Sequence, residues 1–396
     1  MRPGIWIGLA ALLALVALGL VIDIGGEGED AGEDAGGRTR TATSGAAPPP
    51  PPRSVAVVWG IEDAGSAARR LARHSAVEHT TVVRRGAALL RSARAAGGRV
   101  VQRVPAGYGI PLDVVSVDPS GYAAITPPAR RRLVARLRRG RALLSLTSAR
   151  LRRVREGATL QLQGGRRLHV AGVVPDELAQ SSELLVSEAE RMPSARDSVV
   201  AVLERGADAT PRELARAAGG DGRARLIATA DGDTGRQPLR GPARHAELKA
   251  RFGEPAVGLP YGEDWIRLDP GFLRRQIVTT RVPVLGGVTC HRKMVPALRA
   301  AMRELDRRGL GRVVNPRDYA GCYAPRRIRP GGSLSLHAWG LAVDLNARAN
   351  PFGGRSRQDR RLVRVMERHG FTWGGGFPTT PDPMHFEFRG RGAGPG

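Results

Sequence analysis

The segments SLSLHAWGLAVDLN (333–346) and PDPMHFEF (381–388) decide how this chain is read. In LAVDLN (341–346) the alternation of a strand puts Leu341, Val343 and Leu345 on one face and Ala342, Asp344 and Asn346 on the other. In MHFEF (384–388) Met384, Phe386 and Phe388 share an apolar face, while His385 and Glu387 point together to the opposite side. His337 precedes Asp344 by seven residues, an odd separation that would send it to the wrong face of an uninterrupted strand. A bend is required between them, and Gly340 is the residue able to supply it. Two neighbouring strands whose polar faces coincide would then bring His337, Asp344 and His385 to one ion.

Two imidazoles and a carboxylate suit a catalytic zinc site, which typically has three protein ligands and a fourth position open to water. Zinc in such a site lowers the pKa of water and polarises a carbonyl oxygen. Asp382, three residues before His385, is placed to take up and return the proton, although alone it would read as a turn aspartate before Pro383. Arg326, Arg327 and Arg329 lie in CYAPRRIRPGGS (322–333), just upstream of His337. Arg326 is the candidate for stabilising an oxyanion or holding a substrate carboxylate. Glu387 is the candidate partner for orienting a ligand histidine. Ser335 is expected to shape its loop rather than attack anything. His369 reads as a helix-terminal histidine before Gly370, and His291 as a structural one.

At 396 residues the chain is long enough for two domains. Its net charge of +25 suggests nucleic acid until it is broken down. Only Lys249 and Lys293 are lysines, so arginine supplies the rest of the 62 basic residues, dispersed along the chain. No basic stripe interleaved with aromatics and no nucleic-acid module is present, so nucleic acid is not expected as a partner. Cys290 and Cys322 are the only cysteines. In an exported domain such a pair points to a disulfide closing a loop of about 32 residues, a constraint worth about 3 kcal/mol, with two buried thiols as the alternative.

The N-terminus bears on the compartment. GIWIGLAALLALVALGLVI (4–22) is uncharged and apolar, and at about 1.5 Å per residue it matches the hydrocarbon thickness of a bilayer. Arg2 lies before it, and Asp23, Glu27, Glu29, Asp30, Glu33 and Asp34 follow it, so the positive-inside rule puts the bulk of the chain outside. The expectation is an uncleaved transmembrane helix at 1–22 in the cell membrane, with secretion after signal cleavage as the alternative. Residues 23–53, rich in Gly, Asp and Glu and ending in five prolines (48–52), read as a tether.

Residues 54–232 read as an α+β domain. Strands are expected at 55–59, 100–104 and 224–229, and helices at 64–74, 85–97, 127–139, 186–191 and 211–217. ATLQLQGGRRLHVAGVV (158–174) reads as a hairpin turning at Gly164-Gly165. This stretch resembles the extracytoplasmic β-rich regions of permease-type membrane proteins. A polar linker is expected over 233–261, then a second domain over 262–390 with amphipathic helices at 293–308 and 357–369, and a tail at 391–396.

S-x-H-x-x-G-x-A-x-D (Ser335 to Asp344), W-G-G (373–375) and D-x-x-H-F-E (Asp382 to Glu387) together resemble the M15 metallopeptidases. These are D-alanyl-D-alanine carboxypeptidases and L-alanyl-D-glutamate endopeptidases acting on peptidoglycan stem peptides. The likeness extends upstream through VPVLGGVTC and GCYAPR, covering about 262–390. It implies an α+β zinc-peptidase domain with a small antiparallel sheet flanked by helices. It also implies one zinc on His337, Asp344 and His385, with Asp382 as the acid–base residue. Carboxypeptidase-type members carry glutamate where this chain has Asp382, and the endopeptidase branch carries aspartate, so both specificities stay open.

Overall fold

The computed structural model describes residues 53–390, apart from 127, 193, 221, 230–244, 260–264, 329–333 and 378–379. The long strand Val77–Arg94 organises the first half of the molecule. Its C-terminal part pairs on one side with Thr159–Leu162, which turns back through a hairpin into Arg167–Val174. Arg167–Val174 lies parallel to Arg141–Ser145, and that strand pairs antiparallel with Leu184–Ser187. Leu184–Ser187 runs parallel to Tyr108–Val117, which returns to Val77–Arg94 and closes a six-stranded barrel. Leu90, Leu112, Leu144, Leu160, Leu168 and Leu184 belong to the apolar core of these strands. Beyond the barrel the sheet continues from Val77–Arg94 through Ser194–Leu203 and Arg53–Trp59 to Arg223–Thr229. Helices Ala64–Leu71 and Pro211–Gly219 share a second core with this extension.

The architecture expected from sequence is corrected in two respects. The apolar stretch 4–22, expected to form a transmembrane helix, lies outside the described residues, and no described helix is long and apolar enough to cross a membrane. The middle region is a barrel with extra strands rather than a mixed domain carrying a helix at 85–97. That segment, rich in Ala, Leu and Arg, has high helix propensity, but its centre, Ala88-Leu89-Leu90, is buried on both faces of the sheet. Leu89 packs into the C-terminal core and its neighbour Leu90 into the barrel core, which is the period of a strand.

The stretch between the barrel and the C-terminal half contributes helix His245–Phe252 and the short strand Val257–Gly258, which pairs with Tyr108–Val117. Helix Pro270–Gln276 then leads into the hairpin Ile277–Val282/Gly286–His291. A four-stranded antiparallel sheet follows, ordered Tyr319–Gly321, Ala342–Leu345, His385–Phe388, Phe371–Trp373. Helix Val295–Arg307 contributes Leu298, Met302 and Leu305, and helix Arg360–Arg368 contributes Leu362, Val365 and Met366, to one core with Val343, Leu345, Phe386 and Phe388. A disulfide joins Cys290 and Cys322, whose Cα atoms are 5.4 Å apart.

The two helices are also clamped by charge. Glu304 accepts from Arg308 at 3.0 Å, from His369 at 2.9 Å and from Arg368. His369, expected only to favour a helix dipole, thus has an ionic partner on the neighbouring helix. Hydrogen bonds from Arg368, then His369, hold the Glu304 carboxyl at about 2, below its unfolded value. Its contribution is complete above the unfolded carboxylate pKa and is lost as pH falls through the folded one. Glu304→Gln should therefore flatten the acid side of the stability–pH curve between about pH 4.5 and 2. Urea unfolding at a series of pH values checks this; equal slopes for the two proteins would show that the clamp is idle.

Candidate active site

His337 sits in the 3-10 turn Leu336–Trp339, where its backbone N–H donates to the Ser335 hydroxyl at 3.3 Å. Gly340 closes the turn with φ at +66°, the left-handed conformation that favours glycine. A Cβ there would also lie 2.6 Å from the backbone nitrogen of His291. The bend demanded by the odd His337–Asp344 spacing is this turn. The chain then enters strand Ala342–Leu345, on which Asp344 stands directly opposite His385 of the neighbouring strand.

The three side chains converge and are buried. His385 Nδ1 is 2.9 Å from Asp344 Oδ1, His337 Nε2 is 3.2 Å from Asp344 Oδ2, and the two ring nitrogens are 3.1 Å apart. The outer nitrogens settle the tautomers. His337 Nδ1 lies 2.8 Å from the carbonyl oxygen of Cys322, which can only accept, so Nδ1 carries the proton. His385 Nε2 faces Glu387 Oε1 at 3.4 Å, and Glu387 is held in turn by Arg389 Nη2 at 2.7 Å. Each histidine therefore turns a lone pair inward, towards the other and towards a carboxylate. Buried acceptors aimed at one another repel unless a cation lies among them. Tetrahedral zinc with bonds of about 2.0–2.1 Å separates its ligands by about 3.3 Å, close to the spacing found here. The residues fit such an ion.

The electrostatics point the same way. Burial works against the Asp344 anion, yet hydrogen bonds to His337 and His385 hold its carboxyl far below the usual carboxylate range. Burial disfavours positive charge on His385, but the Asp344 and Glu387 carboxylates outweigh it, so the ring is a place where a cation, proton or metal ion, is favoured. Glu387, despite burial, is drawn down to about 2 by His385 and Arg389. The site attracts positive charge.

Asp382 is half-buried beside this cluster, and burial raises its carboxyl above the ordinary value. Its Oδ1 is buried without a hydrogen-bond partner, an orphaned acceptor next to the three ligands. Its N–H donates to the Gly374 carbonyl at 2.9 Å, and its own carbonyl accepts from the His385 N–H at 3.1 Å. A Cβ on Gly374 would stand 2.6 Å from the Asp382 carbonyl oxygen and 3.1 Å from the His385 Cβ. Trp373 Nε1 donates to the Pro383 carbonyl at 2.8 Å. Trp373-Gly374-Gly375 is thus the cradle in which the Asp382–His385 turn rests.

Arg326 is half-buried; its backbone bridges to Trp265 and its carbonyl accepts from the Ser335 N–H at 3.1 Å. Its charge reaches Asp382 and lowers it, after burial and the influences of His385, Asp344 and His337. Arg327 lies on the same ladder, opposite Leu334, and Arg329 is outside the described residues. His291 is no ligand: it is buried, and its Nε2 donates to the Phe252 carbonyl at 2.9 Å. Arg389 escaped the reading of the sequence, although period 2 along His385, Glu387 and Arg389 places it on the same face. Phe377, whose ring lies 6.1 Å from that of His385, carried no such signal.

Residues 329–388 match the family model described as D-alanyl-D-alanine carboxypeptidase, of the M15 peptidases. The site region is similar to that family. The matched stretch contains His337, Asp344, Asp382, His385 and Glu387, and does not reach the barrel. No curated protein matches the chain. Among solved structures, the periplasmic region of MacB from Actinobacillus actinomycetemcomitans is similar at 11% identity and a TM-score of 0.29, covering 44% of this chain and 88% of that one. A likeness that slight carries no argument.

Glu387→Gln should weaken zinc binding about 10- to 100-fold, because the outer nitrogen of His385 loses its anionic acceptor. Competition with a chromophoric chelator measures this, and an unchanged affinity would remove Glu387 from the site. Gly374→Ala should displace the Asp382–His385 turn and lower zinc affinity in the same assay, with little change in far-UV circular dichroism.

Proposed function

We propose that this protein is a zinc-dependent peptidase that hydrolyses the stem peptides of peptidoglycan, at the D-alanyl-D-alanine or the L-alanyl-D-glutamate bond. The observation that carries the reading is the convergence of two inward-facing imidazole lone pairs and the Asp344 carboxylate beside an unpartnered Asp382 oxygen. The M15 match over the same residues supports it.

His337, Asp344 and His385 would hold the zinc, which would supply Lewis acidity for the scissile carbonyl and lower the pKa of water at the site. Asp382 accepts the proton of the attacking water through its free Oδ1 and delivers it to the leaving amine. Burial raises its carboxyl above the ordinary value, the direction that favours a group which must give back the proton it takes. The Trp373-Gly374-Gly375 cradle holds that carboxylate against the ligand strand. Arg326 contributes positive charge on the side of Asp382, where a substrate carboxylate or a developing oxyanion would be held. The disulfide Cys290–Cys322 fits an oxidising compartment outside the cytoplasm, where the wall is found.

Incubating the whole chain with zinc and purified muropeptides, then weighing the fragments by mass spectrometry, tests the reading. Loss of one D-alanine marks a carboxypeptidase and internal scission an endopeptidase; intact muropeptides with zinc bound would refute both. Asp382→Asn should keep its zinc while kcat falls about 10²- to 10⁴-fold, the usual contribution of a positioned acid–base group.

A further inference from the structure

Helix His245–Phe252 is anchored to the barrel by charges withdrawn from water. Lys249 Nζ is 2.5 Å from Glu183 Oε2 and also donates to the Pro111 carbonyl. Arg152 pairs with Glu183 at 2.9 Å and with Glu254 at 2.5 Å. His245 Nδ1 lies 2.6 Å from Asp113 Oδ2. Arg152, Lys249 and Glu183 have almost no exposed side-chain surface. Such pairs add little net stability over apolar packing, but removing one partner is costly, so they fix a single register between the parts they join.

The same helix grips the metal-ligand turn at two points. The His245 ring stacks on the indole of Trp339, with centroids 5.4 Å apart and planes 20° from parallel. Trp339 follows His337 by two residues in that turn, and its Nε1 donates to the Gly253 carbonyl at 3.1 Å. At the second point the Phe252 carbonyl accepts from His291 Nε2 at 2.9 Å, and the His291 N–H donates to the Gly340 carbonyl at 2.9 Å. Gly340 is the bend between His337 and Asp344.

We infer that the barrel positions the metal centre: Asp113 and His245, acting through Trp339, are positioning residues that set the orientation of His337. The inference rests on the zinc-peptidase reading and gives the first half of the chain a part in it. A one-residue slip of the helix would move the His245 ring off Trp339 and the Gly253 carbonyl off its indole. The turn holding His337 would then lose both contacts made through Trp339, while the sheet carrying Asp344 and His385 stayed intact.

The test uses the whole chain and compares wild type with His245→Ala and Asp113→Asn. Zinc affinity is measured by chelator competition, and ligand geometry by the visible absorption of the cobalt-substituted protein. His245→Ala should lose about tenfold in zinc affinity, at the low end of the range for groups that orient a ligand histidine, and should shift the cobalt bands. Asp113→Asn should move both readouts in the same direction by less. His245→Phe, which restores a ring against Trp339, should recover much of the affinity. If His245→Ala does not fold, Trp339→Phe, which keeps the stack but loses the bond to Gly253, is expected to shift the same cobalt bands. A variant that melts at lower temperature with zinc affinity and cobalt spectrum unchanged would overturn the inference and leave the peptidase reading standing. A wild-type chain that binds no zinc would overturn both.

Discussion

Two imidazole nitrogens and a carboxylate aimed at one point inside a sheet form an arrangement that a cation among them would stabilise. In this protein the outer side of each histidine is committed: His337 to the carbonyl of Cys322, and His385 to Glu387 backed by Arg389. Neither ring is free to turn its protonated nitrogen inward, so the inward lone pairs are imposed by the surroundings. Much of the C-terminal architecture serves this constraint. The disulfide anchors the carbonyl that fixes one ring, the pairing of Asp344 with His385 sets the distance across the strands, and Gly340 turns the chain to supply the third ligand.

The convergence of His337, Asp344 and His385 was legible because the two short segments that carry them follow simple strand periods. Alternation placed His385 beside Glu387, and the odd interval from His337 to Asp344 demanded a bend that a glycine could make. Both arguments need only the geometry of a strand. Asp382 was harder, since an aspartate before a proline is common in turns. Its distinguishing property, an oxygen buried without a partner, exists only in three dimensions.

The barrel was not legible for the opposite reason. Its central strand Val77–Arg94 contains Arg85-Gly86-Ala87-Ala88-Leu89-Leu90-Arg91, where composition favours a helix and only non-local pairing favours a strand. Burial of Ala88, Leu89 and Leu90 on both faces removed the polar–apolar alternation there that would have announced it. His245 is equally silent in sequence: it lies more than ninety residues before His337 and belongs to no motif. The amphipathic helices around Leu298 and Leu362 were readable because each keeps a solvent face.

Beside the apolar contacts of Leu89, helix His245–Phe252 is joined to the barrel by charge, where apolar packing would have served stability as well or better. An apolar seam tolerates sliding, because one methyl group is much like the next. Lys249 and His245 tolerate little, since a shift of the helix by one residue would part them from Glu183 and Asp113. Dispersion of the ligands makes such a joint useful: His337 comes from a short 3-10 turn outside the sheet, whereas Asp344 and His385 are fixed by the ladder of the sheet. The ligand that lies outside the sheet is thus the one whose turn is backed by this interface, through Trp339.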